Sequence, residues 1–339
     1  MSYALINEGK IVYYRVLGYA DKEKQIKADE NTIWEAASIS KSVFAYFVMK
    51  FVEEGKLDLD KPLYQYLPYP DIAYDDRYKK ITARMVLSHR SGFPNWRFES
   101  GADKLFIQFE PGSDYFYSGE GYQYLAMVLK HISKTNWAGL EEIFQEKVAR
   151  PLGMQHSRFI ADDYIRKHKA KAYDDQGNWI DKLAIDWWKK NDTVFVAPTT
   201  LMTEPQDFSK WVRAIIKEEG LKKATFQEML KTHSRISESF LGEEKYALGF
   251  FNMSLPFGEF YAHSGNNTGY TSIYALNQEK KWATIEFNNA DRGALMGYET
   301  SLFMLTGYKL EKYMAGGLFL VWTVVSLFIT SLFYFFGKK

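Results

Sequence analysis

Cysteine is absent from the chain of 339 residues, and charge of neither sign predominates. Without thiols the chain can form neither disulfides nor thiolate metal sites, and its redox compartment is not indicated. Lysine and arginine number 43 and aspartate and glutamate 42, which leaves a formal net charge of +1. Because no strongly basic block occurs either, nucleic acid is not an expected partner. The chain also lacks a His-Glu-x-x-His motif, and we expect neither a metal nor a cofactor.

Charged residues are missing from residues 314–336, a stretch of 23 residues near the end of the chain. At about 1.5 Å per residue, a helix of this length reaches about 34 Å, enough to cross a hydrocarbon core of about 30 Å. Tyr313 and Tyr334 lie where interfacial aromatic residues are expected, and lysines flank both ends. The pattern predicts one transmembrane helix that contacts the lipid bilayer, with a buried core helix as the alternative.

The chain is therefore expected to be a single-pass membrane protein with one large domain. Residues 1–306 form that domain, and residues 307–313 connect it to the transmembrane helix at 314–336. The flanking lysines balance and do not orient the helix. Residues 3–6 already read as a strand, and no signal sequence precedes them. Either the domain stays in the cytoplasm, or the true start lies upstream of Met1 and the domain is extracytoplasmic.

Strand and helix patterns follow one another in an order that predicts an α/β fold of the α+β type. Residues 3–6 and 11–17 read as strands joined by the turn Asn-Glu-Gly-Lys, and a buried helix runs from Ser38 to about Gly55. Further helices are predicted at 81–87, 121–133, 140–148, 205–219 and 224–232. Strands are predicted at 246–253, 259–263, 271–276 and 282–287, followed by a helix at 295–305. This order favours an antiparallel sheet whose first strands pair with the last, flanked by helices, with a mainly helical lobe.

The single Ser-x-x-Lys of the chain, Ser38 to Lys41, opens the buried helix. Residues three apart share one face of a helix, so the Lys41 amine can reach the Ser38 hydroxyl. A hydroxyl needs a neighbouring base or a cationic field to lose its proton as it attacks, and Lys41 can supply either. The N–H groups and positive dipole at a helix start also favour the negative charge that develops in acyl transfer. Because about one Ser-x-x-Lys arises by chance in a chain of this length, the motif alone does not establish a nucleophile.

Other motifs follow in a fixed order. Residues 117–119 are Tyr-Ser-Gly, and residues 263–265, at a predicted strand end, are His-Ser-Gly. With them the chain resembles the penicillin-binding proteins and class C β-lactamase-like serine hydrolases, which carry Ser-x-x-Lys, Tyr-x-Asn, and then Lys-Thr-Gly or His-x-Gly. Residues 87–94, Leu-Ser-His-Arg-Ser-Gly-Phe-Pro, and 151–154, Pro-Leu-Gly-Met, are similar to stretches of that family. The resemblance implies a β-lactamase/transpeptidase-like domain with its active site between the sheet and the helical lobe.

The resemblance also implies a role for each matching residue. Ser38 would be the acyl-accepting nucleophile, and Lys41 would hold a positive charge beside it. Tyr117 would be the general base, and because a phenol titrates near pH ~10, it needs a neighbouring ammonium to make it useful. The backbone N–H groups of Ser38 and Asn266 would form an oxyanion hole, in which each donor typically contributes about 10²–10³ in rate. His89 is expected to order its loop.

Two positions depart from the family pattern and bear on substrate choice. His263 replaces the lysine of Lys-Thr-Gly, and since histidine titrates near ~6.5 it would be only partly charged, so that recognition of a substrate carboxylate would be weaker and pH-dependent. Gly119 stands where asparagine is frequent, so a side-chain amide donor to the substrate is missing. Both residues, with Gly265, are expected at the substrate-binding face. Asp207 and the tryptophans at 187–188 are expected to be structural or to line the cleft.

We therefore expect a membrane-anchored serine hydrolase that cleaves an ester or amide bond through an acyl-enzyme on Ser38. Its substrate would be a small molecule or a peptide, with D-amino-acid peptides among those considered, and efficient β-lactam hydrolysis is not favoured. The alternative is a catalytically weak protein of the same fold that binds peptidoglycan-like peptides at the membrane. Retention of Ser38, Lys41 and Tyr117 together favours the enzyme, because binding alone needs no activated nucleophile.

Overall fold

The computed structural model describes residues 1–101, 104–239, 242–255, 258–291 and 293. Its strands are β1 (Ser2–Asn7), β2 (Lys10–Val16), β3 (Tyr19–Asp21), β4 (Ile26–Lys27), β5 (Trp34–Glu35), β6 (Ala172–Tyr173), β7 (Trp179–Ile180), β8 (Met202–Thr203), β9 (Ser234–Ser239), β10 (Gly242–Tyr246), β11 (Phe251–Leu255), β12 (Gly258–Asn267), β13 (Tyr270–Asn277) and β14 (Trp282–Asn288). Its α-helices are α1 (Ser40–Glu53), α2 (Ala83–Leu87), α3 (Gly119–Ile132), α4 (Trp137–Phe144), α5 (Arg150–Leu152), α6 (Asp163–His168), α7 (Asp186–Asn191), α8 (Pro205–Lys217) and α9 (Lys223–Leu230).

An antiparallel sheet of eight strands, in the order β2-β1-β14-β13-β12-β11-β10-β9, is the framework of the described residues. The β1–β2 hairpin turns at Glu8 and Gly9, whose φ angles of 50° and 69° match the right-handed twist of the strands. Strand β1 pairs along its length with β14, from Ser2 opposite Phe287 to Asn7 opposite Trp282. The prediction that the first strands pair with the last is therefore confirmed.

Helix α1 lies in the interior, where it is buried on nearly all sides. Its apolar residues Phe44 and Phe47 are inaccessible to solvent, and the helix packs against α9. The chain leaves α1 at Gly55, which has a φ of 66°, a conformation that glycine adopts at little cost. Helix α8 covers β1, β13 and β14 from the same interior side, with Phe208 packed against Tyr274 and Phe287. The catalytic motif predicted at the start of α1 is thus held between the sheet and the helices.

The single strand predicted at 246–253 is wrong, because the chain turns within it. Strand β10 ends at Tyr246 and β11 begins at Phe251, and the two pair as a hairpin. Between them Gly249 has a φ of 88° and lies against α1, where a Cβ would come 2.5 Å from the Ala45 Cβ. The hydroxyl of Ser42 donates a hydrogen bond of 2.6 Å to the Gly249 carbonyl. This long-range contact, which local periodicity does not show, draws the chain out of the strand.

The predicted helix positions hold to within a few residues, and side-chain caps fix the starts of α2, α3, α4 and α8. Helix α3 begins at Gly119 rather than 121 because the Ser118 hydroxyl caps the Gly121 N–H at 3.1 Å. Helix α4 begins at Trp137 after the Asn136 cap, and the chain continues through a π-helical turn at Gln145–Ala149. Strand β9 was not predicted.

Three predicted segments lie outside the described residues: the helix at 295–305, the connector at 307–313 and the transmembrane helix at 314–336. In the part of the chain that the structure describes, no helix combines the length and the apolar character needed to cross a membrane. The transmembrane helix and the lipid partner therefore stay predictions.

Candidate active site

Ser38 lies in a single 3-10 turn, Ala37–Ile39, immediately before α1 begins at Ser40. The residue before it, Ala37, has a φ of 47°, in the left-handed region that residues with a Cβ adopt at a cost of about 1 kcal/mol or more. The turn is fixed on two sides. The Ser272 hydroxyl of β13 donates to the Ala36 carbonyl at 2.7 Å, and the Ala36 N–H donates to the Leu201 carbonyl at 2.8 Å. These bonds hold Ser38 half-buried at the start of α1.

The Lys41 amine reaches Ser38 as the helical spacing predicts, with 3.1 Å between Lys41 Nζ and Ser38 Oγ. The amine also donates to the Pro198 carbonyl at 3.1 Å. Only 1% of Lys41 is exposed, and this burial lowers the pKa of the amine to about 7. Of the two roles open to Lys41, a base or a cationic field, the lowered pKa favours the base, since part of the amine is neutral near pH 7.

Tyr117 immediately precedes Ser118, the cap of α3, and its ring faces the Lys41 amine. The Lys41 amine lies 4.6 Å from the centre of its ring. Burial raises the pKa of the Tyr117 phenol far above its ordinary value, and the interaction with the Ser38 side chain offsets only part of this rise. The expectation that a neighbouring ammonium makes Tyr117 a phenolate base is not met, because burial dominates. Tyr117 is placed instead as a neutral phenol that can donate and accept a proton.

His263 lies on β12 with 1% of its surface exposed. Its Nδ1 lies 2.6 Å from the Ser264 carbonyl, which can only accept, so Nδ1 carries the proton and Nε2 accepts from the Tyr246 hydroxyl at 3.1 Å. Burial, together with the nearby Lys41, lowers the pKa of His263 to about 3. The expected partial cation is therefore corrected to a neutral imidazole across the physiological range, and no pH-dependent attraction of a carboxylate arises from it.

Gly265 and Asn266 follow His263 on β12 and lie beside the nucleophile. A Cβ on Gly265 would come 2.5 Å from the Ala36 carbonyl oxygen and 2.8 Å from the Ser38 nitrogen. Only glycine allows this approach. Strand β11 pairs with β12 only as far as Ala262, so residues 263–267 extend beyond it. Asn266 is exposed on this extension.

Gly119 is buried at the start of α3, and its neighbours fill the space that a longer side chain would need. A Cβ there would come 3.0 Å from the Asn95 carbonyl oxygen and 3.1 Å from the ring of Trp96. The Trp96 ring in turn packs edge-on against Trp187, at 5.4 Å between centres. Trp187 thus packs behind the Trp96 ring, which fills the space beside Gly119.

Two other residues singled out in the sequence, His89 and Asp207, hold neighbouring segments in place. His89 accepts the Ser118 N–H at 3.0 Å through Nδ1, and its ring lies 4.3 Å from that of Tyr117. It therefore orders the loop that presents Tyr117. Asp207 is buried and accepts hydrogen bonds from the backbone of residues 155–156, from Ser157 and from Lys210, which is a structural role. No cluster of three His, Asp or Glu side chains that could hold a metal occurs within the described ranges.

The structure thus brings Ser38, Lys41, Tyr117, His263 and Gly265 together around one turn. No motif indicates several partners of this group, namely Ala37, Pro198, Tyr246 and Ser272. Their contacts join residues far apart in the chain, such as Lys41 to Pro198 and Ala36 to Ser272. A half-buried hydroxyl, a partly neutral amine and backbone N–H groups at a helix start can together perform nucleophilic acyl transfer.

Comparison with known proteins shows the family to which the chain belongs. The model of the Beta-lactamase family matches residues 1–300, and the chain belongs to that family. The prediction of a serine β-lactamase and penicillin-binding-protein-like family is confirmed. "Protein flp" of Staphylococcus aureus (strain MW2) is 24% identical over 308 residues, which are 85% of this chain and 59% of that protein. The chain thus spans about three fifths of the length of this curated relative.

Solved structures share the fold. The octameric penicillin-binding protein homologue from Pyrococcus abyssi superposes with a TM-score of 0.76 at 24% identity, over 92% of this chain and 74% of that one. The D-amino acid amidase from Ochrobactrum anthropi SV3, complexed with L-phenylalanine amide, gives a TM-score of 0.68 at 22% identity, over 85% of each chain. The predicted α/β fold, with its antiparallel sheet and flanking helices, is confirmed.

Proposed function

We propose that this protein is a serine hydrolase that cleaves an ester or amide bond through an acyl-enzyme on Ser38. The observation that carries the proposal is the pairing of Ser38 with Lys41, at 3.1 Å, in a setting where burial lowers the pKa of the amine to about 7. A neutral amine at hydrogen-bond distance can take the hydroxyl proton as the oxygen attacks. Membership of the Beta-lactamase family supports the same chemistry.

The reaction begins when Ser38 Oγ attacks the substrate carbonyl carbon and its proton passes to Lys41 Nζ. The backbone N–H groups of Ser38 and Asn266 stabilise the oxyanion, which fits the close approach of β12 to Ser38. As the bond to the leaving oxygen or nitrogen breaks, the Lys41 ammonium returns the proton to that atom, directly or through the Tyr117 hydroxyl. Water then attacks the acyl carbon, gives its proton to Lys41, and Ser38 regains a proton as the acid product leaves.

Amides of D-amino acids are the substrate class that we propose first among amides. The fold similarity to a D-amino acid amidase and to a penicillin-binding protein homologue motivates this choice. His263 is neutral and Gly119 carries no amide, so the two positions that depart from the family pattern offer a substrate neither a cation nor an amide donor. We also propose that residues 314–336 anchor the domain to a bilayer, on the strength of their uncharged sequence.

Turnover tests the proposal directly. The purified full-length chain should hydrolyse 4-nitrophenyl butyrate, and Ser38→Ala should abolish the enzymatic part of the rate. Paired D- and L-phenylalanine amides then test the substrate class, with release of ammonia faster from the D form. A folded wild-type protein that turns over neither the ester nor the amides would contradict the hydrolase and favour a protein that only binds peptides in the same cleft.

A further inference from the structure

We propose that a cavity beside Glu35 binds a carboxylate of the substrate, and this inference rests on the proposed hydrolase function. The cavity has a volume of about 370 Å³. Its walls combine charged side chains with apolar ones, among them Phe159, Leu183, Trp188 and Met202. The site thus has room for a short acyl chain that ends in a charged group.

Cations outnumber anions around this cavity. Glu35 and Asp192 face Arg166, Lys169 and Lys182, which leaves an excess of one positive charge among the residues that line it. Asp192 pairs with Arg166 at 2.9 Å. Asp291 also acts on Lys182 electrostatically, but it does not line the cavity and accepts the Gly269 N–H at 2.6 Å. An anion that enters therefore meets three cationic side chains against two carboxylates in the lining.

Glu35 holds the two lysines in place without using up their hydrogen-bonding capacity. Its Oε1 lies 2.6 Å from Lys169 Nζ, while its Oε2 accepts from Lys182 and, at 2.6 Å, from the Asn267 amide. Each ammonium has three N–H donors, and Glu35 accepts one from each. Within the described part of the chain, no other carboxylate or carbonyl oxygen accepts from either amine. The donors that face neither Glu35 nor the Trp188 ring, which lies 3.2 Å from Lys182 Nζ, can bind a carboxylate with charge-assisted hydrogen bonds.

An aromatic wall adds a place for the carbon chain of such a ligand. The Lys182 amine lies 3.2 Å from the centre of the Trp188 ring, and Lys182 is only 8% exposed. This packing fixes the amine and reduces the entropy that it loses on binding. Methylene groups of a ligand can pack on Trp188 and Met202 while its carboxylate meets the lysines.

Three links between residues place the cavity close to Ser38. Glu35 precedes Ser38 by three residues, so their Cα atoms are at most about 11 Å apart. Asn267, which contacts Glu35, is two residues beyond Gly265 on the strand that approaches Ser38. On α7, Trp187 packs against Trp96, which lies beside Gly119, and the neighbouring Trp188 packs against Lys182 in the cavity.

Esters that differ only in charge test the proposal on the full-length chain. Mono-4-nitrophenyl glutarate and suberate are compared with 4-nitrophenyl pentanoate and octanoate, and a 3-carboxy-4-nitrophenyl ester places the charge on the leaving group instead. We expect wild type to have a higher kcat/KM for an anionic ester than for a neutral one. In Lys169→Gln and in Lys182→Gln the ratio of kcat/KM for anionic over neutral ester should fall about tenfold, the scale of a charge-assisted bond. Lys182→Arg should retain most of the preference.

Lys167→Gln is the matched control, because it removes a cation from the exposed side of α6 close to Lys169. Its ratio should equal that of wild type. A ratio unchanged in both cavity variants, or lowered equally in Lys167→Gln, would overturn the proposal.

If either cavity variant fails to fold, a protection experiment on wild type decides. Free glutarate should slow fluorophosphonate labelling of Ser38 more than glutaramide does, and equal protection by the two compounds would overturn the proposal. If the fluorophosphonate labels Ser38 but the protein shows no preference for anionic over neutral ligands, only this inference is contradicted. If wild type is not labelled at all, the proposed hydrolase function is contradicted.

Discussion

Gly265 lies against the backbone of Ser38, so that a Cβ at position 265 would come within 2.8 Å of the Ser38 nitrogen. The same atom would come 2.5 Å from both the Ala36 carbonyl oxygen and the Ser272 hydroxyl. Two parts of the chain, one at the start of α1 and one on β12, are thereby brought into direct contact. The position of the nucleophile relative to the strand depends on the absence of a side chain at residue 265.

Gly265→Ala should therefore lower activity severely. The added methyl group must push the strand away from Ser38 and disturb the oxyanion site, since none of the backbone atoms around it can move freely. We expect kcat/KM for an activated ester to fall by about 10² or more, the contribution of one oxyanion donor. Ser264→Ala, at the neighbouring half-buried position, is the control and should keep most of the activity. Unchanged activity in a folded Gly265→Ala protein would argue against this arrangement.

Lys41→Met should remove activity while leaving the protein folded. Methionine is unbranched and one heavy atom shorter than lysine, and a buried amine whose pKa is lowered to about 7 contributes little to stability. Loss of the proton acceptor should reduce kcat/KM by about 10²–10⁴. Lys50→Met, near the other end of the same helix, provides the comparison. If Lys41→Met kept the activity of Lys50→Met, Lys41 would not be the base.

The rate of acylation should rise with pH through the pKa of Lys41. Below about 7 the amine is protonated and cannot accept the Ser38 proton, whereas above it the neutral amine predominates. His263 should add no second inflection to the pH profile near neutrality, because its pKa is about 3. Measurement of kcat/KM from about pH 5 to about pH 9 should give a rising curve with a midpoint near 7. A flat profile, or one that falls with pH, would contradict Lys41 as the base.

Glu286 should destabilise the protein at alkaline pH. The residue is 1% exposed on β14, its Oε2 has no hydrogen-bond partner within the described structure, and burial raises its pKa from 4.5 to about 7. The folded state therefore keeps a proton that the unfolded state loses, so this contribution to stability is complete below pH 4.5 and is lost as pH rises through about 7.

Glu286→Gln should thus raise the free energy of unfolding at about pH 8 by on the order of 1–3 kcal/mol, with a smaller effect at about pH 4. Urea denaturation at the two pH values measures the difference. Glu279→Gln, in the turn between β13 and β14, is an exposed control that should change little at either pH. An effect that shrinks as the pH rises would contradict the raised pKa.

The elements that sequence alone predicted correctly are those with local causes. The Glu8-Gly9 turn, the apolar periodicity of α1 and the glycine that ends it act over a few residues, and the structure contains each of them. The spacing of Ser38 and Lys41 likewise determines their contact, because a helical turn brings such residues together.

What sequence could not predict depends on contacts between distant residues. Gly249 breaks a predicted strand because it packs on α1, some 200 residues earlier. The neutral state of His263 and the lowered pKa of Lys41 follow from burial, which no motif reports. The ion pairs of Glu35 with Lys169 and Lys182 likewise depend on contacts between three separate segments of the chain.

Intact-mass spectrometry of the full-length chain after exposure to a fluorophosphonate tests the central claim most directly. Ser38 paired with Lys41 should react, and wild type should gain the mass of one phosphonyl group, mapped to the peptide that contains Ser38. Ser38→Ala should gain none, and Lys41→Met should react much more slowly. A folded wild-type protein that gains no mass, or that gains it equally when Ser38 is replaced, would contradict an activated nucleophile at this position.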